Sequence, residues 1–248
     1  MALETLLFII IATVIDGFVA LIGVLTLWLR DRLLRKILIM LVAFSAGALL
    51  SGAFFHLIVE SLEEMGSMAV FAYVMTGFVA FFLIEKFLHW HHCHEGKCDV
   101  HPYTQLILIG DGIHNFIDGL VIAASFIVSI PFGLITTLII ISHEIPQELG
   151  DFGVLVYGGL KKGRALLFNF LSQLTCVAGG IAGFFLLQTP ESVAFLLPFA
   201  AGGFIYIASS DLIPELHKEK NLKKSMLSFA FFIIGVAFLL GIKLLAGG

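Results

Sequence analysis

Charged residues are scarce in this sequence. Lysine, arginine, aspartate and glutamate make up 13% of its 248 residues, whereas soluble globular domains carry roughly 25%. Hydrophobic residues make up 59%, and the mean hydropathy is +1.05. This composition excludes a soluble fold and predicts an integral membrane protein whose main surroundings are the lipid bilayer.

Features of several other protein classes are also missing. The 14 lysine and arginine residues are scattered in short loops and form no basic domain, so a nucleic-acid partner is not expected. No P-loop of the form GxxxxGK[ST] occurs, which argues against direct use of ATP, and no motif points to an organic cofactor. The apolar runs are continuous and do not alternate with period two, which excludes a transmembrane β-barrel.

The apolar runs that are present have the length of membrane-spanning helices. A span needs about 20 mostly apolar residues. On that scale the chain divides into eight predicted transmembrane helices, called spans 1 to 8: 4–28, 37–59, 68–88, 104–129, 132–157, 165–187, 193–216 and 225–246. Span 1 is too long for a signal-peptide core and is expected to be retained. We therefore expect an all-α membrane protein with a single transmembrane domain over residues 1–248.

The basic residues are distributed unevenly between the two sides of these spans. The loops after spans 1, 3, 5 and 7, together with Lys86 at the end of span 3, hold 13 of the 14 lysine and arginine residues, and the loops after spans 2, 4 and 6 hold none. The positive-inside rule places the basic loops in the cytoplasm and both termini outside the cytosol. A plasma membrane or bacterial inner membrane is the preferred location.

Two segments of the chain resemble each other. Ala46–Glu60 (AGALLSGAFFHLIVE) and Ala201–Glu215 (AGGFIYIASSDLIPE) align without a gap, with His56 opposite Asp211. They lie in spans 2 and 7, which are an odd number of spans apart and therefore run in opposite directions. This predicts inverted repeats, spans 1–3 and spans 6–8, around central spans 4 and 5 in a 3+2+3 arrangement typical of transporters. Chance similarity between two apolar helices is the alternative interpretation.

Spans 4 and 5 carry polar residues at membrane depth. Span 4 contains GDGIHNFIDG (110–119) and span 5 contains HEIPQELGD (143–151). Residues three or four apart share a helical face. At 1.5 Å per residue, His114 and Gln147 lie about 15 Å deep from the cytoplasmic side, and Asp118 and His143 about 21 Å. Two antiparallel helices thus bring imidazole, carboxylate and amide groups to matching heights.

Such a cluster needs a compensating partner. A charge inside the membrane costs at least about 2.5–3.5 kcal/mol. A bound divalent cation fits, because mixed nitrogen and oxygen ligands suit zinc and also manganese, iron(II), cobalt or cadmium. A buried polar network that only joins the two helices is the alternative. Pro146 is expected to free the carbonyl of Ser142, because proline has no N–H.

The motifs HNFIDG and HEIPQELGD resemble the paired signatures of the ZIP family of divalent metal transporters, and HLIVE and DLIPE resemble further motifs of that family. The resemblance implies a 3+2+3 fold and transport of Zn²⁺, or of Fe²⁺, Mn²⁺ or Cd²⁺, toward the cytosol. It also implies a metal site, often binuclear, between spans 4 and 5. Carried onto this sequence, the implied metal ligands are His114, Asn115, Asp118, His143, Glu144 and Gln147.

One position departs from the family motif. Where the motif carries histidine or glutamate, this chain has Gln147, whose amide is neutral. The departure leaves open whether the site holds one ion or two. Asp111, Glu148 and Asp151 are candidates for additional metal ligands or for a relay.

Polar residues also mark the ends of spans 2 and 7. His56 and Glu60 are expected near the outer end of span 2, and Asp211, Glu215 and His217 near the cytoplasmic end of span 7. We predict that they are relay residues at the two mouths of one pathway. For Glu60 and His217 a solvated helix end is the alternative. Asp16 is a carboxylate in span 1 for which the sequence suggests no partner.

The loop after span 3, residues 89–103, is rich in histidine. It lacks the two spaced ligand pairs of a closed zinc finger. We predict a cytoplasmic segment that captures or senses metal, and a flexible polar linker is the alternative. The residues that carry this prediction are His89, His91, His92, Cys93, His94, Cys98 and His101.

The leading hypothesis is a secondary transporter whose substrate is Zn²⁺ or a similar divalent cation, and not an enzyme. A homodimer is among the assemblies open to it. A membrane-embedded zinc metallohydrolase is a second hypothesis, but such proteases need H-E-x-x-H and the fifth position here is Gln147. A metal sensor without transport is the third, and it depends only on the histidine-rich loop.

Overall fold

The computed structural model describes residues 2–27, 31–90, 100–157, 159–187 and 190–245. These residues form helices and contain no strand, which confirms the all-α prediction for the described part of the chain. The α-helices are α1 Ala2–Gly17, α2 Asp31–Gly52, α3 Ile58–Glu64, α4 Ser67–Trp90, α5 Val100–Val128, α6 Ile130–Tyr157, α7 Lys162–Gln173, α8 Thr175–Leu186, α9 Pro190–Ile207, α10 Ile213–His217 and α11 Leu222–Leu245. A 3₁₀ helix, Phe18–Leu27, continues α1.

Seven helical segments within the described residues are long and apolar enough to cross a membrane: Leu3–Gly23, Ile37–Glu64, Ser67–Phe87, Leu108–Val128, Lys162–Leu186, Val193–His217 and Leu222–Leu245. They correspond to predicted spans 1–4 and 6–8. Predicted span 5 forms α6, a continuous helix of 28 residues. It falls outside the seven because its second half carries the polar segment 143–151. That α6 crosses the membrane, as the eighth helix of a 3+2+3 arrangement, stays a prediction.

Two pairs of helices pack closely where a glycine of each helix lies against the backbone of the other. In the pair α2 and α11, a Cβ on Gly47 would overlap the carbonyl oxygen of Phe232, and a Cβ on Gly235 would overlap that of Phe44. The pair α4 and α9 repeats this reciprocal arrangement with Gly77 and Gly202. Since small residues let helix backbones approach in membranes, these contacts explain why glycine occupies such positions.

The α2–α3 and α9–α10 junctions have the same unusual geometry. Ala53–Leu57 and Ala208–Leu212 are both π-helical turns, and they occupy positions of the two similar segments that are 155 residues apart, as aligned in the sequence. Single π-helical turns inside α-helices are rare and occur frequently at functional sites. The first contains His56 and the second contains Asp211.

Helices α5 and α6 lie next to each other within the bundle, and α6 also packs against α2. In the most apolar stretch of each span, 56% of the α5 residues are buried, against 17% for α4 and for α11. The outer helices therefore shield α5 from the surroundings. The polar residues of α5 and α6 consequently face protein, as backbone and side-chain polarity at membrane depth requires.

Candidate metal site

Four side chains from α5 and α6 converge on one point. His114 and Asp118 are four residues apart on α5, and His143 and Glu144 are consecutive on α6. The Nε2 atom of His143 lies 3.2 Å from Asp118 Oδ2 and 3.1 Å from Glu144 Oε1. The Nε2 atom of His114 lies 3.5 Å and 3.3 Å from the same two oxygens. The two Nε2 atoms are 3.2 Å apart. We call this group the four-residue cluster.

Hydrogen bonding orients one imidazole of the cluster. The Nδ1 atom of His143 lies 3.3 Å from the carbonyl oxygen of Ile139, one helical turn earlier. A carbonyl oxygen can only accept, so Nδ1 is the donor in this contact, and in the neutral imidazole Nε2 then presents its lone pair to the cluster. A histidine that binds metal is commonly fixed by such a bond from its second nitrogen.

The two carboxylates of the cluster are buried without hydrogen-bond donors. Asp118 and Glu144 each have 0% exposure. Among the described residues, no hydrogen bond reaches either oxygen of Asp118 or of Glu144. A buried carboxylate without a partner is costly, and pairing with a cation offsets that cost. The geometry and the unmet acceptors both fit a metal ion among these four side chains.

A second group shares one member with the first. Asp111, Glu144 and Glu148 each place a carboxylate oxygen within 4.8 Å of the others, and all three are buried. The amide nitrogens of Asn115 and Gln147 donate to Asp111 Oδ1 at 3.0 Å and 3.4 Å. Glu144 therefore belongs to both groups. The amides contact the second group through nitrogen, and their role as metal ligands stays a prediction.

Helix α7 supplies two polar residues that the sequence analysis missed. The amide nitrogen of Asn169 donates to a side-chain oxygen of Glu148 and lies 3.3 Å from its carbonyl oxygen. The amide nitrogen of Gln173 donates to Asp16 Oδ2 at 2.8 Å. Asp16, for which no partner was expected, thus has one. The sequence could have indicated these two residues through their four-residue spacing, which puts both amides on one face of the helix.

The predicted relay residues differ in burial and in their contacts. His56 is buried, stacks on Phe132 with ring centroids 4.0 Å apart, and places Nε2 3.0 Å from Thr136 Oγ1. Glu60 and Asp151 are half-buried, whereas Asp211, Glu215 and His217 are exposed. The exposed Glu215 pairs with Lys218. Their relay role stays a prediction.

The prediction about the histidine-rich loop concerns residues outside the described part of the chain. His91, His92, Cys93, His94 and Cys98 are among the residues that the structure leaves undescribed. Helices α4 and α5 include the backbone of His89 and His101, but their side chains are likewise outside the description.

Known proteins resemble this chain along most of its length. The family described as ZIP zinc transporter matches residues 3–105 and 91–243. Zinc transporter ZIP13 of Pongo abelii is 34% identical over 218 residues, which cover 79% of this chain and 64% of that protein. Zinc transporter zipt-7.1 of Caenorhabditis briggsae is 29% identical, over 71% of this chain and 61% of that protein.

A further relative carries the name of a symporter. Metal cation symporter ZIP14 of Homo sapiens is 36% identical over 149 residues, which cover 59% of this chain and 30% of that protein. The chain thus spans less than two thirds of the length of these relatives. All three carry the names of transporters or symporters, which agrees with the prediction that this chain is not an enzyme. Since the family match extends over nearly the whole sequence and includes both helices of the four-residue cluster, the chain belongs to the ZIP zinc transporter family.

Proposed function

We propose that this protein transports divalent metal cations, foremost Zn²⁺, across a membrane toward the cytosol, and that the four-residue cluster between α5 and α6 holds the ion during transport. The observation that carries the proposal is the meeting at one point of two imidazoles and two buried carboxylates, whose oxygens accept no hydrogen bond within the described residues. The names of the relatives support transport over hydrolysis.

The spacing of the four ligand atoms supports zinc in particular. Zinc binds nitrogen and oxygen ligands at about 2.0–2.1 Å in tetrahedral sites, and the edge of such a tetrahedron is roughly 3.3–3.4 Å. Five of the six edges in the four-residue cluster measure between 3.1 Å and 3.5 Å. These separations fit tetrahedral ligation of one ion by the four side chains. Iron(II), manganese and cadmium accept the same ligand types and are the alternative substrates.

The second group gives the ion its next position. Asp111 lies about two turns nearer than Asp118 to the cytoplasmic end of α5 in the proposed orientation, and Glu144 is common to both groups. An ion that stays bound to Glu144 can exchange the two histidines for Asp111 and Glu148. Because the neutral Asn115 and Gln147 add no charge there, we propose that one ion occupies the two positions in turn.

The remaining architecture follows the inverted-repeat prediction. The two π-helical turns at matching positions of the similar segments, and the reciprocal glycine contacts of the pairs α2–α11 and α4–α9, support a twofold relation between the repeats. We propose eight membrane-spanning helices in a 3+2+3 arrangement, with α6 as the fifth. The basic loops face the cytosol by the positive-inside rule, in a plasma or bacterial inner membrane.

Metal flux into proteoliposomes tests the proposal. Purified protein is reconstituted around a fluorescent zinc indicator, and uptake is started by external Zn²⁺. We expect uptake by the unsubstituted protein and at least a tenfold loss in His114→Ala and Glu144→Gln, because the first removes an imidazole ligand and the second removes the negative charge of a carboxylate ligand. Glu64→Gln, at an exposed helix end, is the matched control for the carboxylate change. Absence of uptake, or equal uptake in Glu144→Gln and Glu64→Gln, would contradict the proposal.

A further inference from the structure

A proline interrupts the hydrogen bonding of α6 directly beside the ligands. Pro146 lies inside α6 and has no N–H, so the carbonyl of Ser142 loses its donor four residues later. Ser142 immediately precedes His143 and Glu144. A buried backbone carbonyl without a donor is uncommon in folded proteins, so a replacement donor is expected close by.

Ser45 of α2 provides that donor. Its hydroxyl donates to the carbonyl oxygen of Ser142, which is 97 residues away in the sequence. Ser45 has 0% exposure, so water does not compete for the hydroxyl. The contact between the helices is close in the same region, since a Cβ on Gly52 would lie 2.7 Å from Ile139 Cδ1. The hydroxyl is therefore held against the carbonyl that proline has freed.

The position of this carbonyl matters for the metal ligands. The carbonyl of Ser142 and the amide of His143 form one planar peptide unit. Fixing the oxygen therefore fixes the plane to which the Cα atom of His143 is attached. The neighbouring carbonyl, that of Ile139, accepts from Ser142 Oγ at 2.6 Å and lies 3.3 Å from His143 Nδ1. One hydrogen bond thus fixes the backbone carbonyl just before His143, and another fixes the imidazole of His143.

We infer that Ser45 is a positioning residue for the metal site: its hydroxyl replaces the amide that Pro146 lacks and holds the backbone that presents His143 and Glu144. The inference deepens the proposed transport function and rests on it. Proline leaves the turn open to an external hydrogen bond, and Ser45 supplies that bond from a different helix. Metal affinity consequently depends on the contact between α2 and α6 as well as on the ligands.

A matched pair of serine variants tests the inference. Ser51 lies on the same helix and donates to the Val236 carbonyl of α11 at 3.0 Å, away from the cluster. Ser45→Ala and Ser51→Ala therefore remove the same group and the same kind of hydrogen bond. We expect Ser45→Ala to weaken Zn²⁺ binding roughly tenfold, as for a buried acceptor left without its donor. The visible absorption of bound Co²⁺ should change with it. Ser51→Ala should change neither by more than about twofold.

A double-variant cycle separates positioning from general damage to the fold. Pro146→Ala restores an amide that can donate to the Ser142 carbonyl, so adding Ser45→Ala to Pro146→Ala should change Zn²⁺ affinity by less than about twofold. An undiminished loss in that background, or equal affinities for Ser45→Ala and Ser51→Ala, would overturn the inference. Binding is measured in detergent, without flux. If the unsubstituted protein shows no flux, the transport proposal fails, while the binding comparison still decides the role of Ser45.

Discussion

Replacing Gly119 by alanine should distort the proposed metal site, because it pushes α5 away from α8. Gly119 follows the proposed ligand Asp118, and its α-carbon faces α8, where an added Cβ would overlap the carbonyl oxygen of Cys176 and lie 2.6 Å from the backbone nitrogen of Gly180. The Cβ would lie 2.0 Å from that carbonyl oxygen, and ordinary contacts begin near 3.4 Å, so α5 and α8 must separate by about 1.4 Å at this level. No rotamer change relieves the overlap, because the obstructing atoms belong to backbone.

A shift of this size exceeds what metal ligation tolerates. Ligand distances in metal sites must hold within about 0.2 Å, and a misplacement near 1 Å can cost roughly a hundredfold in rate. We therefore expect zinc uptake by Gly119→Ala to fall between about tenfold and a hundredfold. Overpacking should also lower the free energy of unfolding by about 1–3 kcal/mol.

Two other glycines calibrate the measurement. A Cβ on Gly150 of α6 would meet nothing within 4 Å, so Gly150→Ala should keep full uptake. A Cβ on Gly112, two turns before Gly119, would lie 3.3 Å from Ser172 Oγ, which can move, so its loss should be intermediate. Uptake is compared in proteoliposomes containing equal amounts of monodisperse protein. If Gly119→Ala transports as well as Gly150→Ala, the close approach of α5 and α8 does not position Asp118.

Three further outcomes are expected. On α11, Gly235→Ala should lower the melting temperature in detergent by an amount that corresponds to about 1–3 kcal/mol. Gly241→Ala, with open space around it, should leave the melting temperature unchanged or raise it. Equal melting temperatures for the two variants would contradict the close packing of α2 against α11. Gln147→Glu adds a carboxylate beside Asp111 and should raise the Cd²⁺ content per chain from one ion to two, as measured by elemental analysis. An unchanged Cd²⁺ content would show that residue 147 does not limit the number of bound ions. Deleting 89–101 should alter the Zn²⁺ concentration for half-maximal uptake and retain uptake itself, and complete loss would instead favour a sensor.

The sequence predicted the parts of the site that depend on regular helix geometry. His114 and Asp118 share a face because they are four residues apart, and matching depth placed Asp118 opposite His143. Depth paired His114 with Gln147, whereas the Nε2 atom of His114 lies 3.2 Å from that of His143. The helical class and the approximate limits of seven apolar spans followed from composition in the same way. Both predictions rest on periodicity and length, which a single sequence displays directly.

Contacts between remote segments could not be predicted in this way. The partner of Asp16 is an amide on α7, and the donor to the Ser142 carbonyl is a hydroxyl on α2. Serine, asparagine and glutamine in an apolar helix indicate that a polar partner exists, but their positions do not identify it. For the same reason the sequence could not show that Gln147 directs its amide nitrogen to Asp111 on the neighbouring helix.

Each π-helical turn changes the angular position, around the helix axis, of the residues that follow it relative to those that precede it. An α-helix advances about 100° per residue, so the one extra residue of a π-helical turn rotates everything beyond it by that angle. In α2 and α9 the glycine contacts lie before the turn, and His56 and Asp211 lie within it. Removing one residue from either turn would restore a regular helix and swing the following segment to another face, with the glycine interface left intact. The phase of the helix end is thus set separately from the phase of the interface.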